Sequence, residues 1–300
     1  MTIRSSETIR GALSFNFSSY KKVVPSHIKQ IDISFLQWFI GFVEGDGSFI
    51  VSKKNKNNKQ LMFIINQKDP KLMFKIKKKL GFGNVTNYEQ DGQIYYRYSV
   101  SSLKNITRLM HLFNGNLILE KVNTRFQTWI SQYNEQDFRS PITLLNQSPC
   151  LDLNSGWLSG FIDADGGFYA RLKIDSMRLT WRLNMKFYIT QKQEYKVLQV
   201  IKFLFSTDHQ PLIINSSDVT KNIYNMKKDY YRLELTNAKH ILNVINYLNI
   251  YPLQGNKNII FKRWERIYGN KIILKSIKTN FHTKSFKRFK RLVDNLNLKS

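Results

Sequence analysis

The sequence has little cysteine, little acid and no long apolar run. The single cysteine among 300 residues, Cys150, excludes an internal disulfide and any Cys-rich metal site. The five histidines are scattered along the chain, so no zinc cluster is indicated and any metal must be held by carboxylates. No apolar stretch approaches the roughly 20 residues that a bilayer-spanning helix needs. We therefore expect no membrane partner.

The shortage of acids leaves a large positive charge. Asp and Glu total 21 against 47 Lys and Arg, which gives a formal net charge of +26. A globular chain tolerates such self-repulsion best when a polyanion screens it, so nucleic acid is the first candidate partner. The chain is also 42% hydrophobic and 14% aromatic, which excludes disorder for its bulk.

Two segments of the chain repeat each other. Phe39–Phe49 matches Leu158–Phe168, with acids, glycines and apolar residues in the same order. Further along, Asn66-Gln67-Lys68 matches Thr190-Gln191-Lys192, and Tyr95-Tyr96-Arg97 matches Tyr230-Tyr231-Arg232. Three motifs in one order indicate the duplication of a domain.

Each copy shows the same succession of patterns. An apolar helix with Ser34, or with Asn154 or Ser155, as N-cap precedes two alternating strands, an amphipathic helix, a second strand pair and final helices. The sequence therefore predicts an α+β fold of two pseudo-symmetric αββαββα repeats. The expected segments are a leader at 1–30, repeats at 31–138 and 153–270, a linker at 139–152 and a basic tail at 271–300.

The two ends of the chain are basic. The leader loosely fits an organellar transit peptide, with a disordered basic segment as the alternative. The tail reads as a solvated basic helix that contacts phosphates. Abundant Lys, Asn, Ile, Phe and Tyr are expected from an A/T-rich gene, which favours an organelle, either mitochondrion or chloroplast.

Paired acids close each opening helix, in Glu44-Gly-Asp46-Gly and Asp163-Ala-Asp165-Gly. Side chains two residues apart point about 200° apart on a helix, so one acid per copy can face a given cleft. Small residues such as Gly41 and Gly45 permit two such helices to pack closely. Carboxylates that meet at helix C-termini need a cation, and Mg²⁺ is the natural candidate.

Phe39–Gly47 and Leu158–Gly166 resemble the LAGLIDADG motif, and residues 31–270 are similar to a single-chain, two-repeat LAGLIDADG homing endonuclease. The resemblance implies saddle-shaped antiparallel sheets, motif helices packed at the repeat interface, and a monomer with internal pseudo-twofold symmetry. It also implies cleavage of both strands of a long double-stranded DNA target, asymmetric because the copies differ, with Mg²⁺ or Mn²⁺ and short 3′ overhangs. The gene's home is then a mobile intron or a similar element.

The resemblance also implies roles for single residues. Asp46 and Asp165 hold the metal together with Gly45 and Ala164, whereas the earlier acids Glu44 and Asp163 are structural. Gln67 and Gln191 at strand ends order water, and Lys121 and Lys257 lie near the cleaved phosphates. The spacing to the following Trp differs between the copies, so the lysine assignment can slip by one residue. Gly45 stands where many members have Ala, a small-for-small change.

The strand alternation predicts a DNA-reading face on each sheet, since Arg, Lys, Asn and Gln distinguish base edges in the major groove. In the first copy this set is Ile50, Ser52, Lys54, Gln60, Met62, Ile64 and Asn66, with Tyr95 and Arg97 from the later strands. In the second it is Tyr169, Arg171, Lys173, Arg182, Asn184, Lys186, Tyr188 and Thr190, with Tyr230 and Arg232. The second face is the more polar, so we expect its half-site to be more sharply specified.

Two other functions remain open. An intron maturase of the same fold would bind intron RNA and assist splicing, with or without cleavage. A DNA-binding protein without catalysis is the third possibility. The presence of both Asp46 and Asp165 favours a nuclease.

Overall fold

The computed structural model describes residues 14–55, 58–136, 141–175, 177, 180–206, 223–227, 229–276 and 283–297. Contacts divide the chain into two units. One takes in the residues up to Ile40 together with Gly47–Asp152, and the other takes in Gly41–Asp46 and the chain from Leu153 onward. The last turns of the first motif helix thus belong to the second unit. The first repeat, predicted as the continuous segment 31–138, is interrupted at this point.

The first unit contains the predicted helix–hairpin order. Its elements are α1 (Ser18–Lys21), α2 (Ile33–Asp46), β1 (Gly47–Asn55), β2 (Asn58–Gln67), α3 (Pro70–Leu80), β3 (Asn84–Gln90), β4 (Gln93–Val100), α4 (Leu103–Phe113) and α5 (Glu120–Gln136). The strands form one antiparallel sheet in the order β1-β2-β4-β3.

The second unit repeats this order from α2 onward and adds a helix at its C-terminal end. Its elements are α6 (Trp157–Asp165), β5 (Gly166–Asp175), β6 (Thr180–Lys192), α7 (Tyr195–Ser206), β7 (Ile223–Lys227), β8 (Tyr230–Leu235), α8 (Ala238–Ile250), α9 (Lys257–Ser276) and α10 (Lys284–Asn297). Its sheet has the order β5-β6-β8-β7 and is also antiparallel. The predicted α+β fold with two four-stranded sheets is confirmed.

Matching aromatic clusters fill the two cores. Phe49 lies 5.1 Å from Trp129 between ring centroids, and Phe168 lies 5.1 Å from Trp264. Each tryptophan also bonds to the first strand of its own sheet. Trp129 Nε1 donates to the Ile50 carbonyl at 3.2 Å, and Trp264 Nε1 donates to the Tyr169 carbonyl at 3.1 Å. The duplication seen in the sequence therefore extends to single hydrogen bonds.

The N-caps differ from those predicted. The Asp32 carboxylate, and not Ser34, caps α2 by accepting the Phe35 N–H at 2.9 Å. The N-cap of α6 is Gly156, and the Ser159 N–H in its first turn donates to the Tyr247 hydroxyl at 2.9 Å, so neither Asn154 nor Ser155 is the N-cap. Both expectations were wrong because a three-residue sequence window does not show which oxygen reaches the free N–H groups. Asp32 is also held by Lys79 Nζ at 2.8 Å.

Asp32→Ala is expected to lower the free energy of unfolding by about 1 kcal/mol, because a first-turn N–H loses its acceptor. Burial raises the pKa of Asp32, but hydrogen bonds from Lys79 and Phe35 and the charges of Lys79 and Lys75 outweigh it, so the pKa lies below its usual value. A group with a lowered folded pKa stabilises the fold above its unfolded pKa. The loss should persist at neutral pH and shrink as pH falls below about 4.

Urea unfolding at several pH values measures this loss. Ser34→Ala removes the hydroxyl that the sequence favoured as cap and should change stability by less than about 0.5 kcal/mol. An equal cost in both variants would contradict the assignment of the cap to Asp32.

The described part of the leader is packed. Tyr20 on α1 is 2% exposed and Phe17 is also buried. Asn16 exchanges hydrogen bonds with the Asn116 side chain, and Arg108 Nε donates to the Val23 carbonyl at 2.7 Å. The expectation of a disordered leader is therefore wrong for residues 14–30, because their aromatic side chains complete the first core. Residues 1–13 lie outside the described residues.

The described part of the linker runs without helix or strand and is held to the rest of the first unit by side-chain hydrogen bonds. Asn114 accepts the Leu145 N–H at 2.9 Å, and Ser148 Oγ donates to the Leu117 carbonyl at 2.6 Å. No helix in the described part of the chain is long and apolar enough to cross a membrane.

The tail is more than a solvated helix. α9 continues past residue 270 to Ser276, and α10 buries Phe286 and Phe289 against Trp181, with ring centroids 5.5 and 5.8 Å away. The basic residues of α10 lie on its exposed side. The helix therefore extends the core of the second unit, a role that its amphipathic spacing encodes.

Candidate catalytic site and nucleic-acid interface

The ends of α2 and α6 are packed in backbone contact. A Cβ on Gly41 would lie 1.9 Å from the Trp157 carbonyl oxygen, so only glycine fits there. A Cβ on Gly45 would lie 2.4 Å from the Ala164 Cβ and 2.7 Å from an Asp165 carboxylate oxygen. The small residues thus do what their spacing predicted, and they bring the helix end that carries Asp46 against the one that carries Asp165.

The earlier acid of each motif has a structural partner. Trp157 Nε1 donates to Glu44 Oε2, and both side chains are buried. Asp163 Oδ2 accepts the backbone N–H groups of Gln254 and Gly255 at 2.6 and 3.2 Å, which secures the turn before α9. Both contacts agree with the structural role that the resemblance implied, and they leave Asp46 and Asp165 as the acids of the site.

Gln191 lies against one of these acids. It is 5% exposed, and its Nε2 donates to Asp165 Oδ2 at 2.5 Å. In the first unit Gln67 occupies the matching strand position, where it pairs with Tyr96 as Gln191 pairs with Tyr231. Side chains alternate between the two sides of a strand, so each Gln lies on the side opposite Asn66 or Thr190, its neighbour on the predicted DNA-reading face. Gln191 is therefore positioned to orient the Asp165 carboxylate.

Lys257 contacts the C-terminal end of α6, which carries Asp165. It is the first residue of α9, and its Nζ donates to the carbonyls of Ile162 and Ala164 at 3.0 and 3.1 Å. Burial lowers the pKa of Lys257 from its usual value, although the charges of Asp163, Asp46 and Asp165 act to raise it. The site thus combines two acids, a partly buried ammonium and the carbonyl end of a helix.

Lys121 is the second residue of α5, in the first unit. The matching Trp129 and Trp264 hydrogen bonds fix the alignment of the copies, and against them Lys121 and Lys257 differ by one position. One position on a helix is a rotation of about 100°, so the two lysines are not strict equivalents. Gln67 and Lys121 both belong to the first unit, whereas Asp46, Asp165, Gln191 and Lys257 lie together in the second.

The donor set suits a hard divalent cation. Asp46 and Asp165 offer carboxylates, and Gly45 and Ala164 offer carbonyls at helix ends where the macrodipole attracts cations. Among the described residues no group of three His, Cys, Asp or Glu side chains gathers in one place. An ion held here would complete its shell with water and phosphate oxygens, which Mg²⁺ tolerates.

The second sheet shows the predicted alternation. Leu183, Met185, Phe187 and Ile189 are buried, while the residues between them on β6 are exposed or half-buried. The register pairs Arg171 with Asn184, Tyr169 with Lys186, Lys173 with Arg182 and Thr190 with Arg232. These side chains therefore share one face, which we call the second reading face.

The first reading face carries fewer charges. Arg97 Nε donates to Asn66 Oδ1 at 2.9 Å and stacks over the Tyr88 ring at 4.8 Å, while Tyr88 stacks on Tyr95. Ile64 was predicted to face a groove but is only 8% exposed, because a compact apolar side chain gains free energy when it is withdrawn from water. Ile50, Ser52, Gln60 and Met62 are half-buried, and the Lys54 side chain lies outside the described residues.

Two residues of these faces were missed in the sequence. Tyr88 supports Arg97, and Glu234 lies beside Lys186 and Arg232 on the second reading face. Tyr88 lies opposite Tyr95, and Glu234 lies opposite Tyr188. Once this register is known, the alternation of side chains along each strand places both residues on these faces. The alternation within the first hairpin and the Tyr-Tyr-Arg motif do not point to either residue, because the pairing of the later strands is not a local property of the sequence.

The sequence is similar to a known family and to several known proteins. The sequence model of the LAGLIDADG endonuclease family matches residues 39–133 and 158–268. "Probable intron-encoded endonuclease 4" of Neurospora crassa is 29% identical over 237 residues, 78% of this chain and 40% of its own length. "Uncharacterized cox1 intron-2 37.2 kDa protein" of Schizosaccharomyces pombe is 28% identical over 268 residues, 88% of this chain and 74% of its own length.

Solved structures share the fold. "I-SmaMI bound to uncleaved DNA target in the presence of Calcium ions" has a TM-score of 0.62 at 17% identity, covering 88% of this chain and 99% of that one. I-AabMI, a "LAGLIDADG Meganuclease", has a TM-score of 0.63 at 19% identity, covering 88% and 99%. Both sheets and the C-terminal parts of both motif helices, with Asp46 and Asp165, fall inside the matched residues, and the chain belongs to the LAGLIDADG endonuclease family.

Proposed function

We propose that this protein is a site-specific endonuclease that cuts both strands of a long, asymmetric DNA target with a divalent metal ion. The observation that carries the proposal is the meeting of two motif helices through Gly41 and Gly45, which brings Asp46 and Asp165 to one place beside Lys257. Two carboxylates with a partly buried ammonium at helix ends suit the binding and cleavage of a phosphodiester. The family membership and the net charge of +26 support it.

In this mechanism the protein's own residues position the metal and the phosphate and neutralise the charge that develops on the phosphate. Asp46 and Asp165 would hold the metal, which supplies an activated water and stabilises charge on the phosphate. Gln191 keeps the Asp165 carboxylate oriented, and Gln67 is proposed to do the same in the other half. Lys257 would place positive charge near the phosphate, which gains negative charge in the pentacoordinate transition state. Lys121 is proposed as its counterpart, displaced by one helix position.

The two reading faces would select the target. Arg171, Lys173, Arg182 and Asn184 on the second face can pair with base edges, whereas Ile50 and Met62 on the first can contact only thymine methyls or exclude water. A pair of unlike faces requires unlike half-sites, so the target is proposed to be asymmetric and better specified on the second side.

The alternative of an intron maturase has one observation in its favour. "Intron-encoded RNA maturase bI4" of Saccharomyces cerevisiae is 28% identical over 156 residues, 51% of this chain and 22% of its own length. Binding of the host intron's RNA, tested against unrelated RNA of equal length, would support a second activity. Several relatives carry names with "intron-encoded", so we propose an intron in an organelle, mitochondrion or chloroplast, as the gene's home.

The proposed function is tested with supercoiled plasmid carrying the gene's own intronless insertion locus. We expect conversion to linear DNA with short 3′ overhangs in Mg²⁺ or Mn²⁺, and none with a chelator, because without a cation two carboxylates would repel the phosphate instead of neutralising its developing charge. A plasmid with the locus scrambled is the control. Cutting that persists in the chelator, or that ignores the locus, would contradict the proposal.

A further inference from the structure

An acid lies within the second reading face. Glu234 on β8 is opposite Tyr188 in the register, and its side chain is 17% exposed. Glu234 Oε2 accepts from Lys186 Nζ at 2.7 Å, and Glu234 Oε1 lies 3.2 Å from Arg232 Nε. In a chain with only 21 acids, a carboxylate on a DNA-facing sheet repels phosphate and weakens general attraction.

Fold stability alone does not require this acid. The side chains of Glu234, Arg232 and Lys186 are 17%, 26% and 37% exposed, and Arg232 is also held by stacking over the Tyr188 ring at 4.0 Å. The first copy has no acid at the corresponding position. Its Arg97 matches Arg232 in the Tyr-Tyr-Arg motif, bonds to Asn66, and has Ser99 at the position that matches Glu234.

The carboxylate also keeps acceptor capacity. An ionised carboxyl has about four acceptor sites, and Lys186 uses one of them. The buried Arg232 Nε has no hydrogen-bond acceptor within the described structure, since its contact with Glu234 is ionic rather than aligned. Glu234 is thus an acceptor set between two donors, on a face whose other charged side chains, such as Arg171, Lys173 and Arg182, can only donate.

We propose that Glu234 is a specificity-determining residue that accepts a hydrogen bond from the N4 amino group of a cytosine in the second half-site. Carboxylates pair with cytosine N4 in the major groove, whereas thymine presents the O4 acceptor at that place and repels a carboxylate. Lys186 and Arg232 hold the carboxylate in position. The proposal rests on the proposed function, because it requires DNA on this face.

The test begins with the wild-type protein. Selection from a randomised duplex library defines the preferred target, and binding is then measured to a panel with each cytosine of the second half-site replaced in turn. We expect one position where exchanging the C·G pair for T·A weakens binding by about 5- to 150-fold, the usual effect of one wrong base pair. 5-Methylcytosine at that position keeps the amino group and should bind as cytosine does.

In Glu234→Gln the same exchange should change binding by less than about 3-fold, because the amide can turn to donate to O4. Other positions should keep their preferences. Glu234→Asp keeps a carboxylate and should still prefer cytosine there, which provides the test if the Gln variant unfolds. Glu265→Gln is the matched control, because Glu265 pairs with Lys262 at 2.9 Å on α9 and is not part of any strand of the second reading face.

Three results would overturn the proposal. One is a Glu234→Gln profile that equals the wild-type profile, or that shifts for all sequences alike. Another is a position at which 5-methylcytosine is rejected as strongly as thymine, since the methyl group and not the amino group would then be read. If the wild-type protein prefers no sequence at all, the proposed function fails together with this inference.

Discussion

Asp165→Asn should reduce double-strand cleavage at least about a thousandfold, equivalent to about 4 kcal/mol of transition-state stabilisation. Asp46→Asn should do the same. Each change removes the charge of a metal ligand while keeping its shape, so no clash arises at Gly45 or Gln191. DNA affinity should stay within about tenfold of wild type, because a lost negative charge does not weaken attraction to phosphate. The linear product from supercoiled target plasmid measures cleavage, and a gel shift in Ca²⁺ measures binding.

Asp163→Asn provides the control on the same helix. Asp163 accepts two backbone N–H groups from the turn before α9, and the Asn oxygen can still accept them. We expect a lower melting temperature with cleavage within about tenfold of wild type at permissive temperature. Wild-type cutting by Asp46→Asn or Asp165→Asn would show that the acids were assigned to the wrong positions.

The affinity for target DNA should fall about a thousandfold between 50 and 200 mM salt. Each neutralised phosphate contributes about −0.9 to the slope of log affinity against log salt, and about six cations are proposed on the reading faces. These are Arg171, Lys173, Arg182, Lys186, Lys54 and Arg97. Titration by fluorescence anisotropy at five salt concentrations gives the slope, and a value shallower than about −3 would mean that the basic excess lies elsewhere.

A triple variant locates the effect. Replacing Arg171, Lys173 and Arg182 by Gln should reduce the steepness of the slope by about 3 if all three contact phosphates, and by less where one of them reads a base instead. The control replaces Lys71, Lys77 and Lys78 by Gln. These lysines are exposed on α3, which packs its apolar side on the first sheet. An equal change in both variants would contradict the placement of DNA on the second reading face.

The sequence alone was sufficient for the duplication, the order of elements and the two acids that close the motif helices. Apolar residues recur at intervals of two on strands and near 3.6 on helices, and both periods are local properties of the chain. The spacing of Gly41 and Gly45 likewise predicted close helix packing, because only the absence of a side chain permits it. The exposed and buried sides of β6 could also be predicted, because the alternation of polar and apolar residues along a strand is a local property of the sequence.

Only the tertiary structure decided which partners these residues have. Asp32 and not Ser34 caps α2, residues 14–30 and α10 complete cores, and Glu234 lies beside Lys186. Each of these contacts joins groups whose meeting depends on strand register, on the rotation of a helix or on the free volume left by an aromatic cluster. Those quantities are set by the packing of the whole unit, since a side chain has many polar or apolar neighbours available and packing selects one. Local periodicity determines which side of an element is buried, and the three-dimensional fit determines what buries it.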